Sequence, residues 1–243
     1  MHCFNIEFLP PVSNDKISFY LNNSDVYIST SLSDGTSVSM LEAMACQLPI
    51  IVTDLPSSRE WVKPNFNGFL PGKKNVVEIG CADAFGTRIV QQEVKDISVL
   101  DFDPIFIKDV QSRKDESWPL KEMVHDILDG PIPGAPYEAS YSLDVLEHIS
   151  KKDEDAFLKN IVLSLNDKGI LIIGTPSITS QDYASKQSKA GHVNCKSSDE
   201  LKILLEKYFQ NVFIFSMNDE VVHTGFYPMA HYYFALCCGV KSE

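Results

Sequence analysis

Two kinds of hydrophobic pattern alternate along this chain. Short apolar runs rich in Val and Ile read as strands, and between them apolar residues recur every three or four positions, which reads as helix. Near the start, Val26 to Thr30 is a strand, Ser31 to Gly35 a loop, Ser37 to Cys46 a helix and Pro49 to Thr53 a second strand. Val38, Leu41, Met44 and Ala45 give that helix one apolar face. The pattern is β-α-β, and it predicts two parallel strands.

A change of character falls at Pro71-Gly72-Lys73-Lys74 and divides the chain into residues 1–72 and 73–243. Beyond it the alternation runs on for longer. Strands are predicted at Asn75 to Ile79, Ile97 to Asp101, Met123 to His125, Ala139 to Leu143 and Gly169 to Gly174, the last buried by its density of Ile and Leu. Helices are predicted at about Gly86 to Glu93 and Asp153 to Leu165. The S-x-x-E at Ser197 to Glu200 is a capping box opening another, to about Phe209. The stretch before Trp118 reads as helical or irregular. Val212 to Met217 and Tyr232 to Cys238 are strands with no helix between them, so this pair is expected to be antiparallel. The fold class is α/β. It is a Rossmann-like, mostly parallel sheet with an antiparallel C-terminal strand pair, plus a small N-terminal β-α-β unit.

Composition narrows the partners. The 243 residues are 44% hydrophobic and 22% charged, enough for a sizeable core and a soluble surface. A formal net charge of −12 argues against nucleic acid and against anionic membrane surfaces, both of which need a basic face. The longest apolar runs, such as Leu48 to Val52 and Gly169 to Ile173, fall far short of the roughly 20 residues of a spanning helix. The start, MHCFNIEFLPP, has no basic region leading into an apolar stretch, so no secretory signal is expected. Cysteines at positions 3, 46, 81, 195, 237 and 238 form no CxxC pair and read as reduced packing residues of a cytoplasmic protein.

In a sheet of this kind ligands sit beyond the carboxyl ends of the strands, where the strand order reverses. Acids and small residues gather at those ends. Glu78 closes one strand and leads through Gly80, Cys81, Ala82 and Ala84 into a helix, and small side chains there let a ligand approach the backbone. Asp101, 23 residues beyond Glu78, is placed to accept hydrogen bonds from ribose hydroxyls, with Phe102 beside it. Asp126, followed by Ile127, is placed to reach an adenine amino group, and Asp144 ends the next strand. Any one of these fits a bland reading as a turn or a helix cap. Their recurrence at successive strand ends does not.

VVEIGCADAFGTRIV resembles the first motif of class I S-adenosylmethionine-dependent methyltransferases, usually written E/D-x-G-x-G-x-G. VLDFDP resembles their second motif, HDILD the third and YSLDVLEHI the fourth, with GILIIGTP as the strand that follows. The tail is similar to the ends of methyltransferases from sugar and secondary-metabolite pathways. The resemblance covers roughly residues 74 to 238. It implies S-adenosylmethionine as cofactor, a small polar acceptor such as a sugar or glycoconjugate, and Glu78, Gly80, Cys81, Ala82, Asp101, Phe102, Asp126, Ile127 and Asp144 lining the cofactor pocket. One departure stands out, because Ala82 and Ala84 occupy two of the three glycine places. A Rossmann dehydrogenase is the rival for such a loop, but Glu78 and Asp83 would repel its pyrophosphate. A cationic sulfonium suits them better.

The resemblance leaves the catalytic base open among His148, His192 and His223, each of which also fits a capping or core role. His192 follows a predicted loop, Ser177 to Ala190, that could cover the acceptor, which makes it the first candidate. No His/Asp cluster at ligand spacing points to a metal.

The segment from Ser24 to Val62 resembles something else, part of the nucleotide-sugar-binding domain of retaining two-domain glycosyltransferases. Asp34 and Glu42 stand in the places of that family's E-x7-E pair, with Gly35 after the first. Only a fragment of such an enzyme is present, so glycosyl transfer would need a second chain. A segment this short is expected to bury its apolar surface against the sheet or in a homodimer. Two rivals to methyl transfer remain at this point, a non-catalytic fusion remnant or binding module, and a glycosyltransferase completed in trans.

Overall fold

Residues 9–64, 66–70, 74–219, 221–223 and 227–241 are described by a computed structural model. The chain falls into two units, Met1–Gly72 and Lys73–Glu243. In the first, α1 (Asn14–Asn22), β1 (Tyr27–Ser29), α2 (Val38–Ala45), β2 (Ile50–Val52), α3 (Pro56–Arg59) and β3 (Gly68–Phe69) follow one another. Ser37 starts α2 by accepting a hydrogen bond from the Met40 amide at 3.4 Å. Met40, Ala43, Leu48, Ile50, Val52 and Val62 form a core of the unit's own over the parallel sheet β1-β2-β3. The β-α-β pattern is therefore present with three additions. α1 buries no residue and β3 is two residues long, so neither leaves a hydrophobic period to read.

The second unit runs β4 (Asn75–Ile79), α4 (Thr87–Gln91), β5 (Asp96–Asp101), α5 (Pro104–Arg113), β6 (Lys121–Val124), β7 (Tyr137–Leu143), α6 (Glu154–Leu163) and β8 (Leu165–Pro176). It closes with α7 (Lys186–Gly191), α8 (Ser198–Leu205), β9 (Phe209–Asn218), β10 (Val221–His223) and β11 (Tyr232–Val240). The sheet order is β10-β9-β11-β8-β7-β4-β5-β6. Strands β4 to β8 pair parallel, and β11 lies antiparallel between β8 and β9. The chain walks outward from β4 through β5 to β6, then returns to lay β7 on the other side of β4. That reversal opens the crevice between the carboxyl ends of β4 and β7.

Alternation along the strands loads both faces of the sheet. Val77, Ile79 and Leu100 pack with Phe157, Leu158 and Leu205 on one face, while Val76, Val99 and Ile97 meet Ile107, Val110 and Trp118 on the other. The capping box of α8 is complete, with Ser197 and Glu200 bonded reciprocally. α8 stops at Leu205 rather than near Phe209, because Phe209 is fully buried and pairs with Val240 as the start of β9. The expected loop of 177–190 is more ordered than its composition suggests. It holds a 3-10 helix (Ile178–Tyr183) and α7, each opened by a serine that accepts from the amide three residues on, Ser177 from Ser180 at 3.1 Å and Ser185 from Ser188 at 3.0 Å.

Candidate functional site

The loop after β4 is held from several sides. The amides of Gly80 and Cys81 donate to the Leu100 carbonyl at 2.9 and 3.0 Å, and Arg113 donates to the Asp83 carbonyl at 2.5 Å. The Asp101 carboxylate, 5% exposed, accepts from the Ala82 amide at 3.0 Å and from the Asp103 amide at 2.9 Å. Sequence reasoning gave Asp101 only the ribose. In the structure it also fixes the β4 loop, so the second strand's acid shapes the first strand's turn. Asp126 likewise turns its own backbone, accepting from the Leu128 amide at 2.9 Å. The His125 amide donates to the Asp101 carbonyl at 3.0 Å, which brings the tips of β5 and β6 together.

Gly80 has φ +74°, and a Cβ there would overlap Val145, so the loop after β7 lies directly on the loop after β4. Ala82 and Ala84 have φ 44° and 53°. The backbone thus keeps the left-handed form that glycine favours, with alanine bearing the strain. Glu78 accepts from the Thr87 hydroxyl at the start of α4, and burial raises its carboxyl above the usual range against that bond. Burial and the carboxylates of Glu78, Asp101 and Asp83 push the Cys81 thiol up to about 12. The loop therefore sits in a negative field, which suits a sulfonium and repels pyrophosphate.

Two predicted pocket residues could meet a ligand only through their backbones. The side chains of Cys81 and Ile127 are buried in the two hydrophobic cores. Phe102, by contrast, is 71% exposed beside Asp101.

Beyond β7 a second set converges. Asp144, with φ 56°, donates its amide to the Gly174 carbonyl at 3.1 Å. Burial and the neighbouring carboxylates of Asp144 and Glu147 raise the Tyr232 hydroxyl, which stays protonated. Glu147 is 1% exposed and accepts from the Thr175 hydroxyl at 3.2 Å, and burial pushes its carboxyl up to about 6. The rings of His148 and His192 stand edge to face with centroids 5.0 Å apart. Burial and the neighbouring His148 lower the His192 imidazole below its usual value. One ligand atom from each of Glu147, His148 and His192 lies within 4.8 Å of the others. The sequence hid this cluster, because His192 arrives 44 residues after His148.

The segment carrying His192 is anchored firmly. The Val193 and Asn194 amides donate to the Glu147 carbonyl at 2.8 and 3.0 Å. Lys196, 6% exposed, pairs with Glu154, 8% exposed, and donates to Asn194 Oδ1 at 2.9 Å, while Asn194 Nδ2 donates to Glu154 at 2.8 Å. His223 lies elsewhere. Its register partner Ser216 faces Tyr233, which faces Thr175, so it stands three strands from the site, roughly 14 Å away. In the first unit Asp34 lines a small cleft with Ser29, Ser31, Gly35, Ser37 and Thr53, while Glu42 lies further along α2.

Strand order, reversal point and acids at the strand tips together define a Rossmann-like methyltransferase fold. Residues 77–173 match the family described as methyltransferase domain, and residues 4–80 match glycosyl transferases group 1. A probable S-adenosylmethionine-dependent methyltransferase of Mycobacterium tuberculosis (strain H37Rv) is 25% identical over 134 residues, 54% of this chain and 47% of its own. The chain thus spans about half the length of the curated methyltransferases it matches. An uncharacterized glycosyltransferase of Haemophilus influenzae is 34% identical over 76 residues, 31% of this chain and 21% of its own. Among solved structures, the N-methyltransferase NodS of Bradyrhizobium japonicum with S-adenosyl-L-homocysteine superposes at TM-score 0.52, with 19% identity over 69% of this chain and 79% of its own. The PH0226 protein of Pyrococcus horikoshii superposes at 0.56, with 12% identity over 70% and 82%. These likenesses show the fold.

Proposed function

We propose that the chain binds S-adenosylmethionine in the crevice between β4 and β7 and methylates a small polar acceptor, a sugar or a glycoconjugate intermediate. The observation that carries this reading is the linked set of strand tips, in which Asp101 ties the Gly80–Ala82 turn to β5, His125 joins β5 to β6, and Gly80 lies against Val145 of the loop after β7. The cofactor supplies an electrophilic methyl on a cationic sulfur. Glu78, Asp83, Asp101 and Asp144 would balance that charge, Asp101 would accept from the ribose through lone pairs its two amide bonds leave free, and Phe102 would lie along the adenosine. When the acceptor atom bonds to the methyl carbon, the carbon–sulfur bond breaks and its electron pair stays on sulfur. The acceptor's proton leaves toward Glu147, His148 and His192, the groups on that side of the crevice.

The glycosyl transferase match of the first unit supports a carbohydrate acceptor, since both units would then serve one pathway. Exposed apolar side chains on that unit, among them Phe19, Leu32 and Phe66, support self-association through it. No helix among the described residues is long and apolar enough to cross a membrane, and the charge balance supports a cytoplasmic setting. Calorimetry of the full chain with S-adenosylmethionine and with a nucleotide sugar tests the reading. Saturable heat with the first supports methyl transfer, and heat with the nucleotide sugar alone would replace it with glycosyl transfer. His192→Ala should lower turnover at least tenfold while leaving cofactor affinity unchanged, because His192 lies on the acceptor side.

A further inference from the structure

We infer that Glu147, His148 and His192 form a binding site for one divalent transition-metal cation at the acceptor side of the crevice. Two imidazoles and a carboxylate are a donor set for zinc and its first-row neighbours, and three protein ligands leave coordination positions open.

The second, independent observation is how each imidazole is held. His148 Nδ1 bonds to the Gly191 carbonyl at 3.0 Å, and His192 Nδ1 to Gln181 Oε1 at 2.8 Å. Both partners are acceptors, so in the neutral rings each Nδ1 carries the proton and each Nε2 offers a lone pair. The Gln181 orientation is fixed independently, because its Nε2 donates to the Ser177 carbonyl at 3.3 Å. A histidine whose far nitrogen donates to a carbonyl is the usual arrangement around a bound metal. Here it occurs twice, on two rings 5.0 Å apart, beside a buried carboxylate. Among the described residues, no lysine or arginine pairs with Glu147 or Asp144, so the two histidines are the nearest basic groups to that negative charge. Ligand atoms around zinc stand roughly 3.4 Å apart, so closing on an ion takes a shift of about an ångström.

A cation in this place would draw an acceptor hydroxyl into an open position and make its proton easier to lose to solvent water, so the three ligands would act through the ion and not as bases themselves. Neither imidazole would then have to leave its held tautomer. This use of the site rests on the methyl-transfer reading, whereas binding of the cation does not.

The test uses untagged full-length protein stripped with chelator, titrated separately with zinc chloride and manganese chloride by calorimetry and assayed for metal content. About one ion per chain is expected, and His148→Ala and His192→Ala should each weaken uptake at least roughly tenfold. Far-UV circular dichroism and thermal melts of both variants confirm that they fold, and exposed His148 makes the first the decisive one. No uptake of either ion, or uptake undiminished in both variants, overturns the site. Titration of the same samples with S-adenosylmethionine separates the two readings. Cofactor binding without metal uptake sinks this inference alone, and metal uptake without cofactor binding sinks the methyl-transfer reading alone.

Discussion

The two banks of the crevice, the proposed cofactor side and the proposed acceptor side, are built by different means. On the cofactor bank, the tips of β4, β5 and β6 are shaped by carboxylates bonding to backbone amides, Asp101 to Ala82 and Asp103, and Asp126 to Leu128. Each turn takes its form from residues at the strand ends and from positive φ at Gly80, Ala82 and Ala84. On the acceptor bank, side chains brought from distant parts of the chain meet one another, His192 with His148 and Lys196 with Glu154 and Asn194. A cofactor in the proposed place would meet turns shaped by their own backbone, and an acceptor would meet side chains gathered from distant parts of the chain. The difference predicts where substitutions act on stability, on affinity and on neither.

The largest effect is expected at the anchor of the acceptor bank. Glu154→Ala strands the Lys196 ammonium in a buried place and frees the segment carrying His192. It should cost about 3–5 kcal/mol in urea unfolding of the full chain. Replacing both members with Leu and Met should cost far less, since no charge is then left unpaired. An unchanged unfolding midpoint for Glu154→Ala would show that the pair is not what holds this bank.

The same contrast explains what could be read from the sequence. The strand-end positions of Glu78, Asp101, Asp126 and Asp144 were legible because each lies within a few residues of an apolar run. The sheet was legible for the same reason, and its antiparallel closure followed from two strands with no helix between them. Glu147 lay inside the quoted LDVLEHI segment with no role assigned, because nothing local shows that it is buried. His192 was singled out through the loop before it, yet its meeting with His148 depends on amide bonds from Val193 and Asn194 to Glu147. Such long-range contacts leave no period in the sequence. The end of α8 was placed too late for a related reason, since pairing of Phe209 with Val240 overrides the helical spacing.

A middle-sized effect should separate the banks by readout. Asp101→Asn offers one oxygen where two backbone amides now donate, and turns an NH2 group toward the other. Cofactor affinity measured by calorimetry should fall at least tenfold, since a hydrogen bond to a charged group is worth about 1.5–3 kcal/mol. Zinc uptake by the same variant should stay as it was. If uptake falls together with cofactor affinity, the banks are one cooperative structure and the comparison fails.

The smallest effect tests the strain in the cofactor bank directly. An alanine in the left-handed region costs about 1–2 kcal/mol, while glycine gives back about 0.4–1 kcal/mol by loosening the unfolded chain. Ala82→Gly should therefore stabilise the fold by at most about 1.6 kcal/mol. Ala82 is exposed, so no packing is lost, whereas at buried Ala84 the removed methyl offsets part of the gain. Ala156→Gly, at an exposed position inside α6, should move the other way by about 1 kcal/mol, because its backbone is helical and unstrained. Thermal melts of the three variants side by side give opposite signs for Ala82 and Ala156 if the loop carries strain. Matching signs would mean that the β4 turn accepts alanine at no cost, and that the missing glycines have no physical consequence for the cofactor bank.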